Sequence, residues 1–311
     1  MEILEVTATV FDATFPKTIQ IFNTGKFSEL NASKFEKVYY LIFTDTKTRL
    51  GLIFGLQNSV LKSPFSAPFG GFEFINSDVK LYQIDAALNS LFSWATSKSF
   101  VGIKIIPQPS FYNQDFSAKI SNCFFRAGFE TQNIELNYHF QTEVLSDTYA
   151  QRMWYNAKKN LKKAFTIGLH FEKLATHQGE QAYDIIAQNR NERGFPLRLS
   201  YDQLVATSKI IPIDFFVVKK ESHTIGSAIV YHVAPSIVRV VYWGDLPQYS
   251  DYKTMNFLSY QLFNYYKEQG IEFIDIGHST VDSVPNHGLC EFKESIGCSL
   301  SLLNEFYKSL V

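Results

Sequence analysis

The sequence predicts an α/β fold of the mixed, α+β kind, built from two copies of one domain. A strand, strand, strand, helix, strand pattern of apolar segments occurs in the first half of the chain and again in the second. Gly51 and Gly226 begin the second strand of each copy, and Gly71 and Gly244 close the third. Such repetition indicates a tandem duplication in which each copy forms a mixed, mostly antiparallel sheet flanked by helices.

The first copy, residues 1–145, begins with a short helical region and continues into the repeated pattern. Its predicted strands are 38–44, 50–56, 61–69 and 101–106, with a helix at about 79–98 before the last of them. Alternation of apolar and polar residues over 134–140 predicts one more strand, which closes this domain.

The second copy, residues 146–311, opens with a connecting helix at about 147–167. Asp147 suits the N-cap of that helix and Gly168 suits its end. The segments that follow are helices at 181–193 and 200–208, strands at 215–220, 226–233 and 237–243, a helix at 254–269, a strand at 273–277, a short helix at 288–296 and a strand at 300–307.

Composition excludes several classes of protein. Of 311 residues, 46% are hydrophobic and 19% are charged, and the net charge is −1. A nearly neutral chain does not bind nucleic acid with its whole surface, so we expect no DNA partner and at most a local anion site. The sequence shows no secretory signal, membrane span or cysteine framework, which predicts a cytoplasmic protein with free thiols and no metal.

The connecting helix concentrates positive charge. Its basic residues are Arg152, Lys158, Lys159, Lys162 and Lys163. No acidic residue lies between positions 147 and 172. One interpretation is a solvated helix face, and the other is a phosphate-binding site with Lys158, Lys159 and Lys162 as its candidates.

Four short segments carry a resemblance to a known family. They are SPFSAPFGG at 63–71, WYNAKKNLKKA at 154–164, IDIG at 274–277 and GLCEFKESIG at 288–297. In this order they resemble segments of the Fem-like (FemABX-type) proteins, the non-ribosomal peptidyltransferases that build peptidoglycan cross-bridges. The element order of the second copy also resembles that of the GNAT acyltransferase fold, so the resemblance covers nearly the whole chain.

The resemblance implies an N-acyltransferase, and most specifically an aminoacyltransferase. In the family an activated acyl group, commonly an aminoacyl ester on transfer RNA, is attacked by a primary amine of a peptidoglycan precursor. In GNAT-type sites two strands splay apart, and an exposed backbone N–H holds the acyl oxygen as charge develops. We therefore expect no tightly bound cofactor, an amine-bearing acceptor, and transfer RNA as a candidate partner.

Two departures from these patterns leave alternatives open. The glycine-rich coenzyme A loop of ordinary GNAT domains is replaced by DLPQYSDYK at 245–253, and the first copy has its glycines too early. The family's frequent Asp-Pro pair is Ile106-Pro107 here. An acyl-CoA donor is thus disfavoured. The alternatives are a CoA- or carrier-protein-dependent N-acyltransferase and a non-catalytic module that binds an amine or peptide.

Three residues of the second copy are candidates for catalysis. Lys293 matches the signature lysine, which implies a role in neutralising charge on the donor or contacting its phosphates; otherwise it is a surface lysine. Asp275 and His278 end the preceding strand. They either supply a polar group to the cleft or, in the ordinary case, bond a turn and face solvent.

Three further residues are candidates for contact with substrate. Phe292 precedes the signature lysine and either stacks on substrate or anchors the core. Trp243 ends the third strand of the second copy, and Arg193 ends a predicted helix just before Gly194.

Overall fold

The computed structural model describes residues 1–146 and 149–311. The chain forms two compact units, one comprising 1–136 with 301–311 and the other comprising 137–300. Most of the last strand thus belongs to the first unit, whereas the sequence pattern places it in the second copy. The division into copies at residue 145 stays a prediction. Within the described residues, no helix has both the length and the apolar character needed to cross a membrane.

The first unit contains a meander followed by a helical crossover. Its elements are β1 (Glu2–Val6), α1 (Ala8–Thr14), α2 (Gly25–Asn31), β2 (Lys37–Thr44), β3 (Thr48–Gln57), β4 (Val60–Ser63), β5 (Glu73–Phe74), α3 (Leu81–Ser97), β6 (Gly102–Ile105), α4 (Gln114–Arg126) and the start of β7 (Glu130–Gln141). Strands β1 to β4 pair antiparallel in sequence order, and α3 leads into β6, which pairs parallel to β4.

Helix α3 covers the sheet of the first unit because its apolar residues recur at helical spacing. Ile84, Leu88 and Leu91 are buried in one core together with strand residues such as Leu52 and Phe54. Aromatic rings fill much of this core. Phe124 of α4, for example, stacks on Phe129 with ring centroids 4.6 Å apart.

Glu73 is a carboxyl group buried in the first unit. It accepts hydrogen bonds from the Ile19 N–H (2.8 Å) and from Asn23 Nδ2 (2.8 Å). Burial outweighs these bonds and raises the pKa of Glu73 from its ordinary 4.5 to about 8.

Glu73 should make the stability of the protein fall as pH rises from about 4.5 to about 8. Within that window the native state binds the proton and the unfolded state does not, so each pH unit costs up to about 1.4 kcal/mol. The Glu73→Gln variant removes the titration. Urea unfolding at pH 5, 6, 7 and 8 should show a flatter profile for the variant than for the wild type. Parallel profiles would contradict the assignment.

The second unit repeats the order of meander, helix and parallel strand. Its elements after the end of β7 are α5 (Tyr149–Arg152), α6 (Tyr155–Thr166), β8 (Leu169–Leu174), α7 (Gly179–Glu192), α8 (Tyr201–Ser208), β9 (Ile213–Lys220), β10 (His223–Ala234), β11 (Ile237–Asp245), α9 (Thr254–Glu268), β12 (Phe273–His278), β13 (Thr280–Val281), β14 (Val284–Pro285), α10 (His287–Ser295) and the start of β15 (Ser299–Ser309). Strands β8 to β11 pair antiparallel in sequence order. Strand β12 pairs parallel to β11 and antiparallel to the end of β7.

The predicted connecting helix is interrupted. The structure has two helices, α5 and α6, because Trp154 adopts an extended conformation (ψ 154°) between them. The predicted N-cap, Asp147, lies outside the described residues. Helix α6 ends before Gly168, whose φ of +74° is the left-handed conformation that favours glycine after a helix.

Candidate active site

The candidate active site lies in the second unit, where β11 and β12 separate. Within the described residues, the parallel pairing of these strands covers 237–239 and 273–275 and goes no further. Strand β11 nevertheless continues to Asp245 and β12 continues to His278. Backbone polar groups of β11 beyond this pairing therefore lose their strand partner and can bind a ligand.

Each strand has a β-bulge next to the point of separation. In β11 the extra residue is Val241, because Val240 and Tyr242 lie opposite consecutive residues of β10. In β12 the extra residue is Ile276, by the same comparison with β7. A bulge bends its strand and redirects the backbone, which accounts locally for the divergence.

The corresponding place in the first unit is closed. Gly70 forms a parallel bridge with Pro107, and its N–H donates to the carbonyl of Ile106 at 2.8 Å. The Ile106 N–H donates to the Ser63 carbonyl at 2.7 Å, and the Gly71 N–H donates to Ser63 Oγ at 3.0 Å. These bonds continue the pairing of β4 with β6, so the second unit is the one that offers an open strand end.

Asp275 lies at the last paired position and is fully buried. Its carboxylate accepts hydrogen bonds from the Arg239 guanidinium, from Asn137 Nδ2 (3.0 Å) and from the Gly277 N–H (2.9 Å). Arg239 is also buried and lies opposite Asp275 in the parallel register. The ion pair thus fastens the two strands together just before they separate. The bond to Gly277 corresponds to the turn-bonding alternative for this aspartate.

Lys293 is buried inside the second unit, with 2% of its surface exposed. Its ammonium donates to the carbonyls of Ile276 (3.2 Å), Gly277 (2.8 Å) and His278 (3.3 Å). Burial lowers the pKa of Lys293 to about 7. The alternative of a surface lysine is wrong, because the side chain turns inward and binds the end of β12. A direct role toward the donor stays a prediction.

Two glycines in the resembling segments have backbones that require glycine. Gly277 has φ +76°, and a Cβ there would lie 3.2 Å from Nη2 of Arg239. Gly297 has φ +85°, and a Cβ there would lie 3.2 Å from the ring of Tyr149. The motif glycines therefore permit left-handed turns at the end of β12 and after α10.

Two of the predicted contact residues lie together. The ring of Trp243 in β11 packs edge-on against the ring of Phe292 in α10, with centroids 6.1 Å apart. Both side chains are partly exposed. His278 ends β12 and is exposed. The structure thus joins the end of β11 to α10 through an aromatic pair.

Helix α7 lies across the end of β11. Nδ2 of Asn189 donates to the carbonyl of Asp245 at 2.6 Å, and a Cβ at Gly244 would lie 2.8 Å from the Asn189 side chain. Nη2 of Arg193 lies 3.3 Å from Oδ1 of Asp245, whose carboxylate is mostly buried. Burial raises the pKa of Asp245. Arg193, a predicted substrate contact, is therefore engaged in an ion pair.

The sequence did not single out Arg190, which lies one turn earlier on α7. Its guanidinium carbon is 5.3 Å from the ring centre of Tyr242 and 5.7 Å from that of Phe195. Its Nε is buried and has no hydrogen-bond partner in the described residues. Its spacing of three residues from Arg193 predicts that both arginines lie on the same face of the helix. That spacing does not show which of the two forms an ion pair.

The lysines of α6 lie on its outer face. Lys159 and Lys162 are exposed and Lys158 is partly exposed, and none forms an ion pair with the described part of the chain. The N–H of Trp154 donates to the Ser295 carbonyl at 3.0 Å, which attaches the start of α6 to the end of α10. The basic helix is thus anchored to the helix that carries Phe292 and Lys293.

The segment that replaces the glycine-rich loop is a short 3₁₀ helix, Pro247–Tyr252. Pro247 has no N–H, and two N–H groups bond locally: Tyr249 donates to the Leu246 carbonyl (2.9 Å) and Lys253 to the Ser250 carbonyl (3.1 Å). These groups are therefore not presented together as a cradle for pyrophosphate.

Comparisons with known proteins give similarities in structure. No family model matches the sequence, and no curated protein matches it. The crystal structure of FemX is similar with a TM-score of 0.71 and 14% identity, over 99% of this chain and 97% of that one. L-PGS from Bacillus licheniformis has a TM-score of 0.59 and 12% identity, over 98% and 92%.

A tandem GNAT protein from the clavulanic acid biosynthesis pathway is also similar. Its TM-score is 0.51 at 8% identity, over 100% of this chain and 98% of that one. Identities this low establish a shared fold and leave the reaction to be argued from the site. The chain therefore has the GNAT fold, in a form similar to FemX and to a tandem GNAT protein.

Proposed function

We propose that this protein is an N-acyltransferase that transfers an aminoacyl or acyl group from an activated ester to a primary amine. The observation that carries the proposal is the separation of β11 and β12 at paired bulges in a GNAT fold. The equivalent strands of the first unit are closed by Gly70, so the reaction belongs to the second unit.

The chemistry needs no covalent enzyme intermediate. The amine nitrogen attacks the ester carbonyl carbon, a C–N bond forms, and the C–O bond to the leaving alcohol breaks. The amine loses one proton and the leaving oxygen gains one. Backbone N–H groups of β11 near Val241 would donate to the acyl oxygen as negative charge develops on it.

Named residues divide the remaining tasks. Asp275 and Lys293 act as positioning residues, because they hold β12 before and after its bulge. His278 is the exposed titratable side chain at the end of that strand and would take the proton from the amine. Trp243 and Phe292 would pack against the acyl group or the donor.

The proposed donor is an aminoacyl-tRNA, and the proposed acceptor is an amine such as that of a peptidoglycan precursor. Lys158, Lys159 and Lys162, which form no ion pair with the described residues, supply positive charge for RNA phosphates on a helix anchored to α10. An acyl-CoA donor is less favoured because residues 247–252 form a 3₁₀ helix that begins at a proline, in place of a glycine-rich loop. A cytoplasmic reaction is part of the proposal.

A donor comparison tests the proposal. Purified protein is incubated with Nα-acetyl-lysine amide and either tRNA charged with labelled amino acids or labelled acetyl-CoA, and alkali-stable amide is quantified. Product from charged tRNA, reduced by the triple change of Lys158, Lys159 and Lys162 to Gln, supports the proposal. Product from acetyl-CoA instead would favour the CoA-dependent alternative. Saturable binding of the amine without product would favour a non-catalytic module.

A further inference from the structure

We propose that Arg190 and Arg198 form an anion-binding subsite for a carboxylate or phosphate group carried by the acyl acceptor. The assignment of the ligand as acceptor rests on the proposed acyl transfer. The existence of the subsite rests on the geometry around the Arg190 guanidinium and on the backbone bond that brings Arg198 to Tyr242.

The guanidinium of Arg190 contacts aromatic rings and forms no ion pair with the described residues. Its guanidinium carbon lies 5.3 Å from the ring centre of Tyr242 and 5.7 Å from that of Phe195. Nε is buried without a hydrogen-bond partner, and no carboxylate in the described residues lies within ion-pair distance of the guanidinium. A buried donor of this strength is normally satisfied, so its orphaned state indicates a partner that comes from outside the chain.

Arg198 is brought to the same place by the loop after α7. The Phe195 N–H donates to the Arg190 carbonyl at 2.8 Å, and the Arg198 N–H donates to the hydroxyl of Tyr242 at 3.2 Å. Burial lowers the pKa of Arg190, and repulsion from Arg198 lowers it further. Arg198 is itself exposed, and neither arginine forms an ion pair with the described part of the chain. The charge of Arg198 therefore adds to a positive potential at Arg190 that an anion would relieve.

The subsite adjoins the proposed point of acyl transfer. Tyr242, which supports both arginines, directly follows the bulge residue Val241 in the open part of β11. Asn189, the residue before Arg190, holds α7 to the end of the same strand. An anion bound here would fix one end of a substrate beside the strand separation.

Guanidinium chemistry selects the ligand class. The planar fork of an arginine binds two oxygens of a carboxylate or a phosphate, and its flat face packs on aromatic rings. Arg193, three residues along the helix, already has such a partner in Asp245. Arg193 is thus paired within the chain, whereas Arg190 is available to bind an oxyanion from outside it.

The test measures anion binding without turnover. Thermal stabilisation of the full chain is titrated with inorganic phosphate and separately with malonate, at ionic strength held constant with chloride. The variants are Arg190→Gln, Arg190→Lys and Arg198→Gln, and Lys209→Gln removes an exposed charge from the same unit as a control. We expect the Kd of the better anion to rise by about tenfold or more in Arg190→Gln and Arg190→Lys and to stay unchanged in the control.

The outcomes separate the subsite from the reaction. Tighter binding of phosphate would assign a phosphorylated acceptor, and tighter binding of malonate would assign a carboxylate. Variants that melt at lower temperature but bind both anions like the wild type would overturn the proposal. Arg190 would then only stabilise the fold by packing against the rings of Tyr242 and Phe195. A wild type that binds neither anion saturably would overturn it as well, even if amide is formed. Anion binding lost in Arg190→Gln would support the subsite even if acyl transfer were absent.

Discussion

Replacing Asp275 by Ala should lower the free energy of unfolding by about 3–5 kcal/mol, because it removes a buried carboxylate that is paired with the buried Arg239 guanidinium. Asp275 is fully buried and bonds Arg239, Asn137 and the Gly277 N–H. The change should also release β12 from β11 at their last paired position. Urea unfolding followed by circular dichroism measures the stability.

A double variant controls for the loss of packing. Arg239→Met combined with Asp275→Leu removes both charges and fills the space, so it should recover most of the stability lost in Asp275→Ala. A single variant that loses less than about 1 kcal/mol would show that Arg239 is not held as a buried charge.

Replacing Lys293 by Met should lower kcat for acyl transfer by about 100-fold while changing the KM for the donor little. The reason is that a shift of about 1 Å in the end of β12 would misplace the reacting groups, and misplacement of this size lowers the rate about 100-fold. Methionine keeps the buried length but removes the donors to the carbonyls of Ile276, Gly277 and His278. Stability should fall by about 1–3 kcal/mol as those acceptors lose their partner. Steady-state kinetics and urea unfolding measure the two effects.

The kinetic pattern distinguishes the two roles of Lys293. Glu291→Met on the exposed face of α10 is the matched control and should leave both kcat and stability near wild type. A large rise in KM for charged tRNA with kcat unchanged would instead assign Lys293 to the donor's phosphates, against its buried placement.

Elements with strong periodicity were predictable from the sequence. Helix α9 was expected at 254–269 and forms Thr254–Glu268, and β9 was expected at 215–220 and forms Ile213–Lys220. Strands β1 and β8 were missed, since both are short and neither presents a continuous buried face. Strand β4 was expected to reach residue 69 but ends at Ser63 before Pro64, which has no N–H to donate.

The candidate site was predictable only in part. Motifs located the end of β12 and α10, so Asp275, Lys293 and Phe292 were identified as residues of interest. Their contacts were not predictable, because Arg239 lies 36 residues from Asp275 and meets it only through strand register. The bulges at Val241 and Ile276 are likewise properties of register, which local sequence does not encode.

The most direct test of the central claim is a single-turnover reaction with charged tRNA and a primary amine, in which product and intact protein are both weighed by mass spectrometry. We expect amide to form at the rate at which donor is consumed, and the mass of the protein to stay unchanged. Accumulation of an acylated protein, or hydrolysis of the donor without amide, would contradict direct transfer at the separated ends of β11 and β12.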